Sequence, residues 1–491
     1  MNIVIGAGLG GLAAAIRLAA RGEPVTVFEA NAYAGGKATV FELDGFRFDA
    51  GPSLFTLPAQ VDALFELAGE NPRDFFNYEK QSEACRYFWN DGQQFTASGD
   101  PEQFAQGAAA CFEEPVEHID AYLKRAAASY EALGTIFLKK SLHRADTWWS
   151  SDVLKAIPTI RPLELLGSMD LRNRKAFDHP RLVQLFNRFA TYNGSDPFRA
   201  PGLLTMIPHL EHGVGTFFPK GGIHAITEAL YALALRLGVV FHFQSPVSEI
   251  EYNSAREITG VKVESDRCSA DRVVCNMDVV PAYRRLLRGI QAPERTLSQE
   301  RSSSALIFYW GVGDTFPELG LHNIFFADDY LAEFRDIFEN KCIHEDPTVY
   351  IHISSKCEDE DAPEGSENWF VMVNAPHDTN IDWELEVDRV RALLIEKLGR
   401  LLGRDLRGLI RCERILTPLM IEERTQSFQG ALYGAASNDP WAAFLRHPNK
   451  AKNPDGLYFV GGSVHPGGGI PLVLNSAEIV ADLIAKEKVS V

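Results

Sequence analysis

The chain opens on Asn2 to Ile5, a short apolar run that is β-branched at Ile3, Val4 and Ile5, as a strand buried on both faces of a parallel sheet requires. Leu9, Leu12, Ile16 and Ala19 then recur at steps of three and four, which predicts an amphipathic helix ended by Gly22. "PVTVFE" predicts a second strand that ends in Glu29. The helical period returns at Ile223, Ile226, Leu230, Leu233 and Leu237, after a Gly221-Gly222 turn. "VVFHFQSPVSEIEYN", "EITGVKVES" and "ADRVVCNMD" follow as antiparallel strands leading back to the first sheet. The pattern appears a third time at the end of the chain. Residues 457–460 read as a strand, "SVHPGGGIP" as a turn, and from Pro471 a helix carries Val473, Ala477, Val480, Ala481 and Ile484 on one face.

Two other stretches lie between these. Residues 72–212 read as mostly helical, with aromatic residues and local basic clusters. Residues 290–430 alternate strand-like runs ("SALIFYWGV", "TVYIHISS", "NWFVMVNAP") with helical ones ("VDRVRALLIEKLG"), which predicts an antiparallel sheet covered by helices. The expected class is α/β, with a Rossmann-like nucleotide-binding domain made discontinuously from 1–71, 213–289 and 431–491. A helical region, 72–212, and a sheet-and-helix region, 290–430, would serve the substrate.

The glycines give the first domain its chemistry. Gly6, Gly8 and Gly11 stand at G-x-G-x-x-G spacing between strand and helix. Gly6 permits the tight turn, Gly8 lets the backbone approach a pyrophosphate, and Gly11 lets helix and strand pack closely. The helix N-terminus adds free N–H groups and a positive dipole end. Glu29 can accept hydrogen bonds from a ribose diol, and its charge would repel a 2′-phosphate. Gly467, Gly468 and Gly469 precede the last helix in the same way, so that helix would direct its N–H groups at whatever lies beyond them.

Composition narrows the functional classes. A formal net charge of -18 argues against a nucleic-acid partner and against broad attraction to anionic lipid. Seven scattered cysteines with no C-x-x-C suit a reducing compartment and no metal site. No run of about 18 apolar residues offers a membrane span, and a strand beginning at Asn2 leaves no room for a leader, so a cytoplasmic protein is expected. His209 and His212 in "PHLEHG" lack a third ligand at metal spacing and read as structural. Neither a G-x-S-x-G elbow nor a G-x-x-x-x-G-K-[ST] loop is present.

The pair Gly35-Gly36 with Lys37, just past the acid, resembles an extension found in FAD proteins of the glutathione-reductase and amine-oxidase superfamily. Four segments resemble, in order and over nearly the whole chain, the bacterial carotenoid desaturases of the phytoene-desaturase type: "GAGLGGLAAAIRLAARG", "GGKATVFELDGFRFDAGPSLFTLP", "FFPKGGIHAITEAL" and "GLYFVGGSVHPGGGIPLVLNSAEIVADLI". "GPSLFTLP", "YFWNDG", "FLKKSLH" and "RFATYNGSDPF" look most like the 1-hydroxycarotenoid 3,4-desaturases, with phytoene-acting members as the nearest alternative. More distant alternatives are a FAD amine oxidase and a non-enzymatic prenyl-lipid escort protein.

The resemblance implies FAD held by Gly6, Gly8, Leu9, Gly10, Gly11, Glu29, Ala30, Gly36, Lys37, Gly51, Pro52, Ser53, Asn276, Gly461, Gly462, Gly469, Ile470 and Pro471, with the backbone at Val247 against the adenine. The first loop would take the ADP half and the last helix the flavin half, as two walls of one site. Many superfamily members place an acid after the glycine of the last strand, to bind the ribityl chain; Gly462 and Ser463 stand there instead. The implied reaction passes a hydride from a long apolar polyene to the flavin while a neighbouring carbon loses a proton. His465, Asp196 and Arg188 are the candidate polar groups for that proton or for guiding the substrate. Lys139, Lys140, His143 and Arg144 beside Trp148 and Trp149 are the candidate peripheral contact with the inner face of the cell membrane. The electron acceptor that reoxidises the flavin is left open.

Overall fold

The computed structural model describes residues 1–156, 167–378, 380–439 and 445–489. Its nucleotide-binding sheet has five parallel strands, in the order Leu457–Phe459, Arg272–Cys275, Asn2–Ile5, Val25–Phe28, Val240–His242. The opening run is the central strand, as its unbroken apolar character requires. It is flanked by Val25–Phe28, the next strand in the chain, and by Arg272–Cys275 from its middle, with Leu457–Phe459 beyond that.

One face of this sheet is covered by three helices, Leu9–Ala19, His224–Arg236 and Ile470–Val489. Their apolar stripes meet in one core: Leu12, Ala13 and Ile16 from the first, Leu230 and Leu233 from the second, Ala477, Val480 and Ile484 from the third. The alanines allow close approach, and Arg17 bonds Glu478 at 3.3 Å across the contact. The opposite face is covered by an antiparallel sheet of Val247–Tyr252, Ile258–Val263 and Asp266–Ser269, whose Ile250 and Val261 share a core with Ile3, Ile5 and Val273.

A second, seven-stranded sheet runs in the order Ile410–Leu416, Ser304–Val312, Glu367–Ala375, Val349–Ile353, His322–Phe325, Glu83–Phe88, Gln94–Ser98. It is antiparallel except where His322–Phe325 lies parallel to Glu83–Phe88. Trp310 and Trp369 stand opposite one another and fill the face under the helix Trp383–Leu402.

The last two strands correct the expectation of a mostly helical 72–212. "EACRYFWNDGQQFTAS" is a hairpin whose turn holds Gly92 at φ +91°. An Asp-Gly pair between two strand-like runs is the signal for it. The hairpin joins the 290–430 sheet, so the two presumed substrate regions share one sheet. Tyr78–Lys80 is a further strand, paired with Phe217–Pro219, and the helices of that stretch include Pro101–Phe112, Val116–Lys139, Met169–Ala176 and Pro180–Asn187. The hairpin Thr39–Leu43 and Phe46–Ala50 spans the two units, with Phe48 and Tyr309 rings 5.7 Å apart.

Candidate active site

The first glycine loop sits at the carboxyl end of the central strand. A Cβ on Gly11 would overlap the Gly6 carbonyl, so only glycine allows the helix this close to its strand. No side chain caps the helix Leu9–Ala19, and its first turn carries no acid, so its first N–H groups are left for a ligand. Glu29 is buried and fixed by two backbone donors, Ala7 N–H at 2.7 Å and Asn31 N–H at 2.8 Å. Ser245 N–H bonds the Glu29 carbonyl at 2.9 Å, which sets the segment leading into Val247 beside Glu29 and Ala30.

Asn276 follows the neighbouring strand and is where the two ends of the chain meet. Added Cβ atoms would stand 2.7 Å from its amide at Gly8, 2.7 Å at Gly10 and 2.8 Å at Gly461. Gly36 packs in the same way, its Cβ position 3.2 Å from the Gly8 Cα. A Cβ on Gly51 would overlap the Lys37 carbonyl, which stacks the Gly51-Pro52-Ser53 turn on the Gly36-Lys37 turn. Lys37 Nζ donates to the Leu432 carbonyl at 2.8 Å, and burial lowers its pKa to about 8. Gly462 packs against the Gly468 Cα, whereas a Cβ on Gly469 would meet only open space, directly before Ile470 and Pro471 start the terminal helix. Ser463 turns away: its Oγ accepts from Val279 N–H at 3.0 Å.

The three candidate polar residues fall in three places. His465 is buried on the last loop and donates from Nε2 to the Lys140 carbonyl at 2.8 Å, its Nδ1 unpartnered. Burial lowers its pKa to about 4, so it is a weak base. Asp196 is buried beside the 437–438 segment. Its N–H bonds Asn438 Oδ1 at 2.8 Å, the adjoining Ser195 Oγ accepts from Ser437 N–H at 2.8 Å, and burial raises its carboxyl pKa to about 6. Arg188 is ion-paired with Glu211 and bonds Tyr87 OH at 2.6 and 2.9 Å, within the wall formed by the second sheet.

Arg446 belongs to the site and was not singled out from the sequence. It is 2% exposed, bonds the Tyr433 carbonyl at 2.8 Å and lies 3.2 Å from the Cβ position of Gly467. No carboxylate pairs with it among the described residues, and burial and Arg301 lower its pKa only to about 10, so it stays charged. "LRHPNK" has no periodicity that would mark a buried charge. Also missed was a polar relay from the cofactor side into the second sheet: Ser53 Oγ lies 2.9 Å from Tyr350 OH, itself 2.8 Å from His322 Nδ1. Histidines at core-facing positions of strand-like runs were the available signal.

Trp149 is 87% exposed and Trp148 about half exposed, with the Trp148 indole bonded to the Leu142 carbonyl. Two of the nearby cations are paired: Lys140 with Asp152 and Arg144 with Asp146. None of the described helices is long and apolar enough to cross a membrane.

These residues fit FAD. Glycines from both ends of the chain leave a side-chain-free floor, the buried acid Glu29 could take a ribose diol, and a buried guanidinium with no carboxylate partner among the described residues lies under the last loop. The chain matches the family described as flavin containing amine oxidoreductase over residues 9–485. Across 482 residues, 98% of either chain, it is 53% identical to a 1-hydroxycarotenoid 3,4-desaturase of a Flavobacterium species. It is 34% identical to a 4,4'-diapolycopene oxygenase of a Methylomonas species, over 99% of this chain and 98% of that one. Among solved structures, a putrescine oxidase variant aligns with a TM-score of 0.66 at 14% identity, covering 100% of this chain and 98% of the other. A Rab GDI of Plasmodium falciparum aligns at 0.56 and 13% identity, over 99% and 98%. The last two likenesses show the fold alone.

Proposed function

The chain belongs to the flavin-containing amine oxidoreductase family and, within it, to the FAD-dependent carotenoid desaturases; from this we propose that it introduces the 3,4 double bond into an acyclic carotenoid hydroxylated at C1. The observation that carries the reading is the end-to-end 53% identity with a relative of that name, which is far above the identity to the oxygenase.

FAD, when bound, supplies the acceptor for a hydride leaving an allylic carbon. The chain's own task is to hold the polyene against it and keep water out. The cation developing on the substrate is spread along the polyene, so no strong base is needed. Asp196 is the proposed proton acceptor, because a carboxyl pKa near 6 leaves it ionised at neutral pH yet more basic than an exposed aspartate. His465, near 4, is the weaker acceptor, and its bond to Lys140 ties the last glycine loop to the segment that leads to the exposed tryptophans. We assign that segment the peripheral membrane contact, since a carotenoid has to arrive from a bilayer. A substrate entering there would meet the cofactor loops directly.

Co-expression with defined carotenoids in a carotenoid-free host, read by chromatography, tests the proposal. A 1-hydroxylated substrate should gain one double bond while phytoene is left unchanged. Conversion of phytoene alone would overturn it.

A further inference from the structure

The proposed reaction places a hydroxyl at C1 of a chain that reacts between C3 and C4. By ordinary bond lengths that oxygen stands about 4 Å from the nearer reacting carbon. Whatever recognises it has to lie deep in the site, beside the cofactor, and not at the mouth where the polyene enters. In an apolar interior an unanswered hydroxyl is penalised, so a polar partner at that depth decides which substrates are accepted.

The second sheet carries such a partner. His322 and His352 are direct partners on adjacent antiparallel strands, so their side chains share a face. Tyr350 is two residues from His352 and lies on the same face, as does Tyr87 through its pairing with Ile324. Ser53, Phe218 and Arg188 pack on this face from the other elements: Ser53 through Tyr350, Phe218 with its ring 6.5 Å from His352, and Arg188 through Tyr87. The face is therefore the wall between the cofactor loops and the helical layer.

Both histidines are 3% exposed, and the Nε2 atom of each has no hydrogen-bond partner. Their rings lie 5.2 Å apart. Burial first, then His352 and Arg188, keeps His322 neutral, and burial keeps His352 neutral with a pKa of about 3. A neutral ring offers one N–H and one lone pair. If Ser53 donates to the Tyr350 oxygen and Tyr350 donates to His322 Nδ1, then His322 carries its proton on Nε2 as a free donor. Two unanswered nitrogens side by side on this wall are complementary to a group that both accepts and donates, as an alcohol does.

We infer that His322 and His352, held by the Tyr350–Ser53 relay, form the recognition site for the terminal hydroxyl of the polyene; this rests on the function proposed above. Ser53 stands on the turn stacked against Lys37, so the relay couples the hydroxyl's position to the cofactor's. The pair acts on specificity and positions the substrate without exchanging atoms with it.

The test compares two probes: an acyclic C40 polyene with a tertiary hydroxyl at C1, and the same polyene without it. Flavin-loaded wild type, His322→Phe, His352→Phe and Tyr350→Phe are assayed for conversion, and for retention of each probe from detergent micelles. The wild type should prefer the hydroxylated probe. Each histidine variant should lose at least tenfold of that preference in both kcat/KM and retention, read as the ratio between the two probes. Tyr350→Phe changes little volume and should lose several-fold; it decides the matter if a histidine variant does not fold. A general structural defect would lower both probes together and leave the ratio unchanged. A wild-type preference that persists in the variants overturns this site and leaves the proposed function standing. A wild type with no preference overturns both.

Discussion

A Cβ on Gly10 would stand 3.2 Å from the backbone nitrogen of Gly461, so the first glycine loop and the last are in direct contact. A cofactor laid across Gly10 would touch both ends of the chain, with the second loop as the far wall of the first one's site. Truncation before Gly456 removes an edge strand and the terminal helix, and should abolish FAD binding although "GAGLGG" remains. Gly461→Val should do the same in the full chain, since its φ of +107° and its contact with Asn276 both exclude a side chain. Flavin absorbance per mole of folded protein measures either loss; stoichiometric flavin in both would refute the shared site.

Arg446 should act with opposite sign in the two ligand states. Its buried charge has no counter-ion among the described residues, so without FAD it costs stability. Arg446→Met is expected to raise the melting temperature of the flavin-free protein and to weaken FAD binding tenfold or more, which is about 1.4 kcal/mol. Thermal scans with and without added FAD read both effects. A variant destabilised in both states would show instead that Arg446 is needed only for its bond to Tyr433.

Asp196 gives a pH dependence whose sign follows from its burial. Its folded pKa, about 6, lies above the unfolded value of 3.8. The folded state therefore holds the proton more tightly, and this group's stabilisation is complete below about 4 and is lost as pH rises through 6. Asp196→Asn should remove that loss and stabilise the protein near neutral pH by roughly 3 kcal/mol at most, on the scale of 1.36 kcal/mol per pKa unit. If Asp196 takes the proton, the same variant loses activity, and the wild-type rate falls as pH drops through 6. Unchanged kcat in Asp196→Asn would assign the proton to another group.

Trp148→Ala with Trp149→Ala should reduce sedimentation with liposomes. Because Lys140 and Arg144 are already paired with Asp152 and Asp146, the remaining binding should depend only weakly on salt and on anionic lipid. Steep salt dependence would point to another, basic surface.

Local signals made the cofactor domain legible. Gly6, Gly8 and Gly11 between a β-branched strand and a period-3.6 helix describe their own fold, and the resemblance extends that reading to Gly461 and Pro471. The contact between the loops was not local, yet it followed once both ends were assigned to one site. What the sequence reading missed depends on long-range pairing. The hairpin from Glu83 to Ser98 was absorbed into a helical stretch because its neighbours are helical, although Asp91-Gly92 marks its turn. His322 and His352 become a pair only through strand register, and nothing near Arg446 shows that its charge is buried. Asp196 was a candidate from the sequence, but its raised pKa comes from burial that only the assembled units provide.

The order of strands in the nucleotide sheet also constrains how the enzyme is made. Asn2–Ile5 occupies the centre of the sheet; Val25–Phe28 on one side of it follows closely in the chain, whereas Arg272–Cys275 on the other side, and Leu457–Phe459 beyond that, are translated much later. Until Arg272–Cys275 is made, the growing chain leaves one edge of this apolar strand without its partner, and such an edge invites aggregation. A cofactor held by both glycine loops would be captured only once the helix Ile470–Val489 has been made, so a chain stopped before that helix would carry no flavin.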